Sequence, residues 1–141
     1  MKSTALAVLI GCAVIAAAMP VAAHHSFAAE FDSNKPLTVS GTVTKLEWTN
    51  PHARLYVDEI DKDGKVVSWD FELGPPNGLM RRGWNRNSLK AGHVVTIEGF
   101  LSKTNPRGAN ARSVKLPDGR QVFAGSSFDT GAAQEDPTST K

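Results

Sequence analysis

Hydrophobic and polar residues alternate along the middle of this chain, and that period of two restricts the fold more than any other feature of the sequence. The alternation occupies three segments, which are residues 37–43, 55–57 and 67–73. Successive side chains of a β-strand point to opposite faces, so the pattern predicts three strands that each bury one face. The first of them is expected to change its buried face near Lys45. Between the second and third segments, Asp61-Lys62-Asp63-Gly64 predicts a hairpin turn.

A break in the alternation predicts one short helix. The third strand is followed by Gly74-Pro75-Pro76-Asn77, and Asn77 is a suitable cap for a helix over residues 78–82. Further strands are predicted at residues 94–101, 111–116 and 121–123. A helix between the third and fourth strands is typical of the OB-fold, a small Greek-key barrel. We therefore expect an all-β, five- to six-stranded OB-like barrel with a short helix between strands 3 and 4, and a β-sandwich is the alternative.

The first 23 residues have the layout of a secretory signal peptide. Lys2 supplies a positive charge, an apolar run follows over residues 5–18, and Val21-Ala22-Ala23 supplies small residues for cleavage. The apolar run is shorter than the ~20 residues of a membrane-spanning helix. We expect cleavage after Ala23, export to the periplasm and no transmembrane segment in the mature chain. Anchoring as a lipoprotein at Cys12 is the disfavoured alternative, because the apolar run continues past that residue.

The remaining chain divides into three parts by composition. Residues 24–36 are expected to form an N-terminal arm, and residues 37–124 the OB-like β-barrel. Residues 125–141 consist mainly of Gly, Ser, Thr, Ala, Asp and Pro. Such a segment cannot bury enough apolar surface to offset the entropy of ordering, so a disordered tail is predicted.

Charge and cysteine content limit the chemistry of the mature chain. Loss of Lys2 leaves 15 of the 16 basic residues against 14 acidic ones, and this nearly neutral balance gives no indication of nucleic-acid binding, which needs a basic stripe. Cys12 is the single cysteine of the chain and lies in the predicted signal peptide, so the mature protein has neither a disulfide nor a thiolate. A metal site must then use nitrogen and oxygen ligands, which favours Cu(II), Zn(II) or Ni(II) over Cu(I).

Cleavage after Ala23 makes His24 the first residue of the mature chain. Its free amine and its ring Nδ1 can chelate one metal ion, and one more imidazole completes a histidine brace for Cu(II). Copper(II) favours nitrogen ligands in a square plane and has the highest affinity in the divalent series. The arrangement resembles the braces of periplasmic copper carriers and of copper-dependent polysaccharide monooxygenases, of which only the N-terminal histidine is matched here.

The preferred third ligand is His52, in the predicted turn between strands 1 and 2. His25, Glu30 and Asp32 are further candidates because they lie near His24 in the sequence. The plainer alternative, which the sequence alone favours, is that His24 and His25 lie in a mobile, solvated end. His52 would then be an ordinary polar residue of a turn.

A second candidate surface surrounds Trp84. Arg81, Arg82 and Arg86 are close to it in sequence, and guanidinium groups bind anions, lipid headgroups or acidic partner proteins. A solvated face is the alternative. Tyr56, on the predicted second strand, is a candidate for stacking on a ligand because OB barrels bind ligands on that face.

No catalytic motif is present in the sequence. It contains no His-Glu-x-x-His, no Gly-x-Ser-x-Gly and no phosphate-binding loop. We therefore expect an exported, non-enzymatic binding protein with Cu(II) as its candidate cofactor at His24. The alternative is a metal-independent module that binds a small ligand or a periplasmic protein. A copper oxidase acting on polysaccharide is disfavoured because the chain is small and lacks an evident flat aromatic platform.

Several stretches of the chain resemble an uncharacterised family of small exported bacterial proteins, classed as a domain of unknown function. They are residues 24–27, 41–52, 83–84, 89–92 and 116–120, including the His-His-Ser-Phe start of the predicted mature chain. The resemblance implies no activity. The predicted barrel is also loosely similar to periplasmic OB-fold stress proteins, which implies a fold and nothing about function.

Overall fold

The computed structural model describes residues 27–125, which contain two short helices and six strands. The helices are α1 (Phe27–Glu30) and α2 (Pro76–Met80). The strands are β1 (Phe31–Glu47), β2 (Arg54–Ile60), β3 (Val66–Glu72), β4 (Val94–Ser102), β5 (Gly108–Lys115) and β6 (Gln121–Phe123). The predicted signal peptide, His24, His25 and all of the predicted tail except Gly125 lie outside the described residues.

The six strands belong to one ring-like sheet. Antiparallel pairings join β3 to β2, β2 to β1, β1 to β4, β4 to β5 and β5 to β6. A parallel pairing of β3 with β5 connects the two sides of the sheet. The predicted all-β class, the number of strands and the helix between strands 3 and 4 are confirmed. The alternative of two stacked sheets is not what is found, because every strand is part of the same sheet.

The core lies inside this ring and is built from alternate residues of the strands. Its largest fully buried side chains on the strands are Phe71, Leu55, Ile97, Val43, Val57, Val95 and Val114. The predicted change of face near Lys45 is found as a register shift between Val43 and Lys45, where β1 pairs with β2. An extra residue at such a bulge turns the following side chains to the other face.

β1 begins earlier than the alternation indicated. Its first residue, Phe31, pairs with Ser102 of β4, so residues 31–36 belong to the sheet rather than to a separate arm. The sequence pattern did not indicate this earlier start of β1, because the polar residues 32–35 interrupt the alternation between two apolar positions. The register also shifts between Phe31 and Pro36, so this part of the strand does not pair regularly.

α2 begins two residues before the predicted helix. Pro75 is the N-cap, and Pro76 occupies the first turn. Backbone N–H groups of the first turn have no partner within the helix, so the missing N–H of proline costs no hydrogen bond there. The chain then leaves the helix, and Gly83, with a φ of 86°, adopts a left-handed conformation that glycine accepts readily. This turn brings the buried side chain of Trp84 back onto the core.

Candidate functional site

The loop that carries His52 is held firmly against the end of β3. The backbone N–H of Ala53 donates to the carbonyl of Gly74 at 3.2 Å, and that of Leu73 donates to the carbonyl of Ala53 at 2.9 Å. The Ala53 side chain is itself fully buried. His52 is therefore fixed at the point where β2 begins beside the last residues of β3.

The imidazole of His52 contacts the carboxylate of Glu72. The distance from Nδ1 of His52 to Oε1 of Glu72 is 2.9 Å, and the two side chains are 34% and 16% exposed. A neutral imidazole that donates from Nδ1 keeps the lone pair on Nε2, so that Nε2 is the nitrogen left to bind a metal ion. Histidine ligands of metals are commonly held in this way by a carboxylate on the other ring nitrogen.

Arg54 holds the same carboxylate from its other side. Its Nη1 lies 3.6 Å from Oε2 of Glu72, and its Nε and Nη2 donate to the two carboxylate oxygens of Asp70 at 3.0 and 2.9 Å. The hydrogen bonds that it donates to Asp70 raise the pKa of the Arg54 guanidinium above its ordinary value. His52, Glu72, Arg54 and Asp70 thus form one connected set, which we call the His52 network.

A cleft of about 320 Å³ lies beside the His52 network. It is lined by Glu30, Phe31, Arg54, Asp70, Glu72, Ser102, Thr104, Asn105, Gly108 and Ala109. Three of these residues carry carboxylates and one carries a guanidinium, so the charge of the lining is negative in sum. Such a cleft attracts cations because like charges on its walls focus the field.

The N-terminal helix α1 is fastened at the edge of this cleft. The ring of Phe27 lies 5.6 Å from the ring of Phe31 and 5.6 Å from that of Phe100, measured between centroids. Lys103 donates from Nζ to the carbonyl of Ala28 at 2.5 Å and from its backbone N–H to the carbonyl of Glu30 at 2.9 Å. The first described residues are therefore held on the core rather than directed away from it.

Within residues 27–125, no group of three or more His, Cys, Asp and Glu side chains is arranged to hold a metal ion. Asp32, a candidate from the sequence, is occupied locally, since its Oδ1 accepts from the N–H of Asn34 and its Oδ2 lies 3.8 Å from Nζ of Lys35. A site with three protein ligands that includes His52 would need a contribution from outside this range.

Tyr56 lies on the outer face of β2, where its pairing partner is Asp70. Its hydroxyl donates to Oε2 of Glu47 at 3.1 Å, and Nζ of Lys45 lies 5.7 Å from the ring centroid. Burial first, and the hydrogen bond to Glu47 second, raise the pKa of Tyr56 above its usual value. The hydroxyl of Tyr56 thus already has a hydrogen-bond partner in Glu47, and the ring already has a cation near it in Lys45.

The predicted surface around Trp84 needs one correction. Arg81, Arg82 and Arg86 are exposed, as expected. Trp84 is only 3% exposed, because its indole packs in the core and its Nε1 donates to the carbonyl of Phe123 at 2.9 Å. Trp84 therefore supports this surface from beneath and cannot contact a ligand on it.

Sequence reasoning missed the acidic and basic partners of His52. The sequence did contain a signal for one of these pairings. The turn at residues 61–64 joins two antiparallel strands, so a residue a given number of positions before residue 63 pairs with the residue the same number of positions after it. Arg54 then faces Glu72, and this pairing is observed. The contact of Glu72 with His52 depends on how the preceding loop closes, which the alternation does not specify.

Comparison with known proteins gives a family but no activity. The model of a family described as a family of unknown function (DUF6152) matches residues 12–111. No curated protein matches the chain. In the described part of the chain, neither helix has the length and apolar character required to cross a membrane.

Proposed function

The chain belongs to DUF6152, a family of unknown function, and from that starting point we propose that it is an exported, non-enzymatic protein that binds one Cu(II) ion. The proposed ligands are the free amine and ring Nδ1 of His24 together with Nε2 of His52. His25 is a further candidate ligand. Export, and with it the free amine of His24, rests on the signal-peptide layout of the first 23 residues.

The observation that carries the proposal is the contact of His52 with Glu72. The 2.9 Å distance from Nδ1 to the carboxylate fixes the orientation of the ring and directs its proton to Nδ1. Nε2 then remains an acceptor on a side chain that is one-third exposed. An ordinary histidine of a turn needs no such carboxylate partner, whereas a metal-binding histidine commonly has one.

The position of α1 supports a site that combines His24 with the His52 network. His24 precedes Phe27 by three residues, which span at most about 10 Å of extended chain. Phe27 is packed on Phe31 and Phe100, and Phe31 and Glu30 line the same cleft as Glu72. The tether therefore begins at the edge of the cleft that adjoins the His52 network.

The choice of copper follows from the ligand chemistry. The predicted mature chain has no thiolate, and its proposed ligands are an amine and two imidazoles. Such nitrogen ligands suit the square-planar preference of Cu(II), which also exceeds the other divalent ions in affinity. The negative lining of the adjoining cleft favours any cation over an anion.

A calorimetric titration with Cu(II) tests the proposed ligands. The mature chain that begins at His24 should bind one equivalent tightly. A chain with one additional methionine before His24 should lose that tight binding, because the amine no longer belongs to the histidine. His52→Ala should weaken binding, whereas the control His93→Ala should not, since His93 lies in the turn before β4 with its Nδ1 near the N–H of Lys90. Equal affinity with and without the additional methionine would contradict the proposal.

The second candidate function is metal-independent binding of a small polar ligand, and the cleft beside the His52 network favours it. Its lining offers the hydroxyls of Ser102 and Thr104 and the charges of Arg54 and Asp70. This function predicts that Cu(II) binds weakly or at several places in the mature chain, and that the additional methionine changes nothing.

A further inference from the structure

The connection from β3 to β4 carries positive charge without any acidic residue. Residues 73–97 contain Arg81, Arg82, Arg86 and Lys90, and neither aspartate nor glutamate. The chain as a whole has nearly equal numbers of acidic and basic residues, 14 and 16. The positive charge of this segment is therefore concentrated locally. We call its exposed part, residues 80–90, the basic loop.

The cations of the basic loop point to solvent. Arg81, Arg86 and Lys90 are exposed. No carboxylate of residues 27–125 forms an ion pair with any of the four cations, whereas Lys45 and Arg120 each pair with one carboxylate and Arg54 pairs with two. The charges of the basic loop are thus not neutralised within the described part of the chain.

The basic loop has a rigid base. Leu79, Trp84 and Leu89 are buried in the core and fasten the loop along its length. The guanidinium of Arg82 lies 4.0 Å from the centroid of the Phe123 ring, a stacking distance. The exposed cations are therefore presented on a defined surface, with little further ordering needed on binding.

One large apolar side chain is exposed among these cations. Met80, at the end of α2, is 51% exposed and directly precedes Arg81. A single exposed apolar side chain in a segment rich in cations lacks the apolar centre of a protein–protein interface. Positive charge combined with a flexible apolar side chain and the aliphatic stems of arginine instead suits the headgroup region of an anionic bilayer.

From this combination we propose that the basic loop docks on anionic lipid headgroups, with Arg81 and Arg86 contacting phosphates and Met80 inserting between them. Each cation near an anionic surface strengthens binding about fivefold at moderate ionic strength. The loop would hold an exported protein reversibly at a membrane surface. The inference does not depend on copper binding, because none of its residues belongs to the His52 network.

Sedimentation of the metal-free mature chain with lipid vesicles tests the inference. Vesicles of phosphatidylcholine mixed with phosphatidylglycerol should bind the chain, vesicles of phosphatidylcholine alone should not, and high salt should abolish the binding. The double variant Arg81→Gln/Arg86→Gln should bind about 25-fold more weakly, and Met80→Ser should also weaken binding at unchanged charge.

The matched control is Lys62→Gln/Lys65→Gln, which removes the same charge from the exposed turn between β2 and β3. This variant should bind like the unaltered chain. Equal losses for the two double variants would show that only net charge matters and would overturn the proposal. Failure of the mature chain to sediment with the anionic vesicles at low salt would overturn it as well.

Discussion

At the scale of single residues, Glu72 determines which nitrogen of His52 is available to a metal ion. It contacts Nδ1 of His52 with one oxygen and faces Arg54 with the other. Arg54 is in turn held by Asp70. Because each member fixes the next, the ring of His52 is held in one orientation, which would lower the entropic cost of binding the proposed metal ion.

Glu72→Gln should therefore lower the affinity of the mature chain for Cu(II) by a factor of about 10–100, the usual effect of losing such a supporting group. The amide is a weaker acceptor and no longer favours the Nδ1 proton. In the metal-free variant, the nitrogen chemical shifts of His52 should show a larger fraction of the tautomer protonated at Nε2 than in the unaltered chain. Glu98→Gln, on β4, is the control and should change neither property. Unchanged affinity in Glu72→Gln would show that the contact with His52 is only structural.

Tyr56 makes a separate prediction about pH. Its pKa is raised above the ordinary value of about 10, by burial first and then by its hydrogen bond to Glu47. Folding therefore favours the protonated phenol, and this stabilisation is complete below pH 10 and is lost as the pH rises through the raised pKa.

Tyr56 is the single tyrosine of the chain, so an ultraviolet absorbance titration reports on it alone. The midpoint should lie above that of the unfolded chain, and Glu47→Gln should lower it. Glu98→Gln should leave it in place. A midpoint equal in the folded and unfolded chains would contradict the hydrogen-bonded arrangement.

The candidate site was predictable only in part at this scale. His52 stood out because it follows a turn and is one of four histidines. Glu72 and Asp70 appeared as ordinary outward residues of an alternating strand, because alternation specifies a face and not the partner. Trp84 was misassigned to the surface, since a tryptophan between arginines gives no sign in the sequence of which way it points.

At the scale of elements, alternation and turn residues predicted most strands, and the errors lie where small or polar residues enter the sheet. β5 begins at Gly108, three residues before the predicted start. Gly108 and Ala109 pair with β3 in parallel, a contact between distant parts of the chain. In sequence these residues resemble a continuation of the preceding Pro/Gly loop.

Gly99 of β4 provides a test of this close packing. A Cβ atom on Gly99 would overlap the carbonyl oxygen of Asn110 in the neighbouring strand β5. Gly99→Ala should therefore lower the free energy of unfolding by about 2 kcal/mol or more, as overpacking in a tight core does. Urea denaturation measures the change.

The matched control is Gly78→Ala in α2, where the nearest side-chain atom to the new Cβ is Cγ of Pro75 at 3.6 Å. Alanine is the better helix former and has fewer unfolded conformations, so this change should raise the free energy of unfolding by about 0.5–1 kcal/mol. A free energy of unfolding that is unchanged or raised in Gly99→Ala would contradict the close approach of β4 to β5 at Gly99.

At the scale of the whole molecule, the ring-like sheet provides a rigid frame that brings distant parts of the sequence together. The start of β2, the end of β3, and α1 all line one cleft, although they come from separate parts of the chain. The basic loop is separate from the His52 network in sequence and in its contacts. We infer that the frame presents two independent surfaces, one for a metal ion and one for lipid headgroups.

Electron paramagnetic resonance of the mature chain with one equivalent of Cu(II), beside that of His52→Ala, tests whether His24 and His52 bind the same copper ion. We predict a type 2 spectrum with nitrogen couplings from the amine and two imidazoles, and the loss of one imidazole coupling in His52→Ala. Identical spectra for the two proteins, or a spectrum of weakly bound copper in the mature chain, would contradict the assignment of His52 and His24 as ligands of one copper ion.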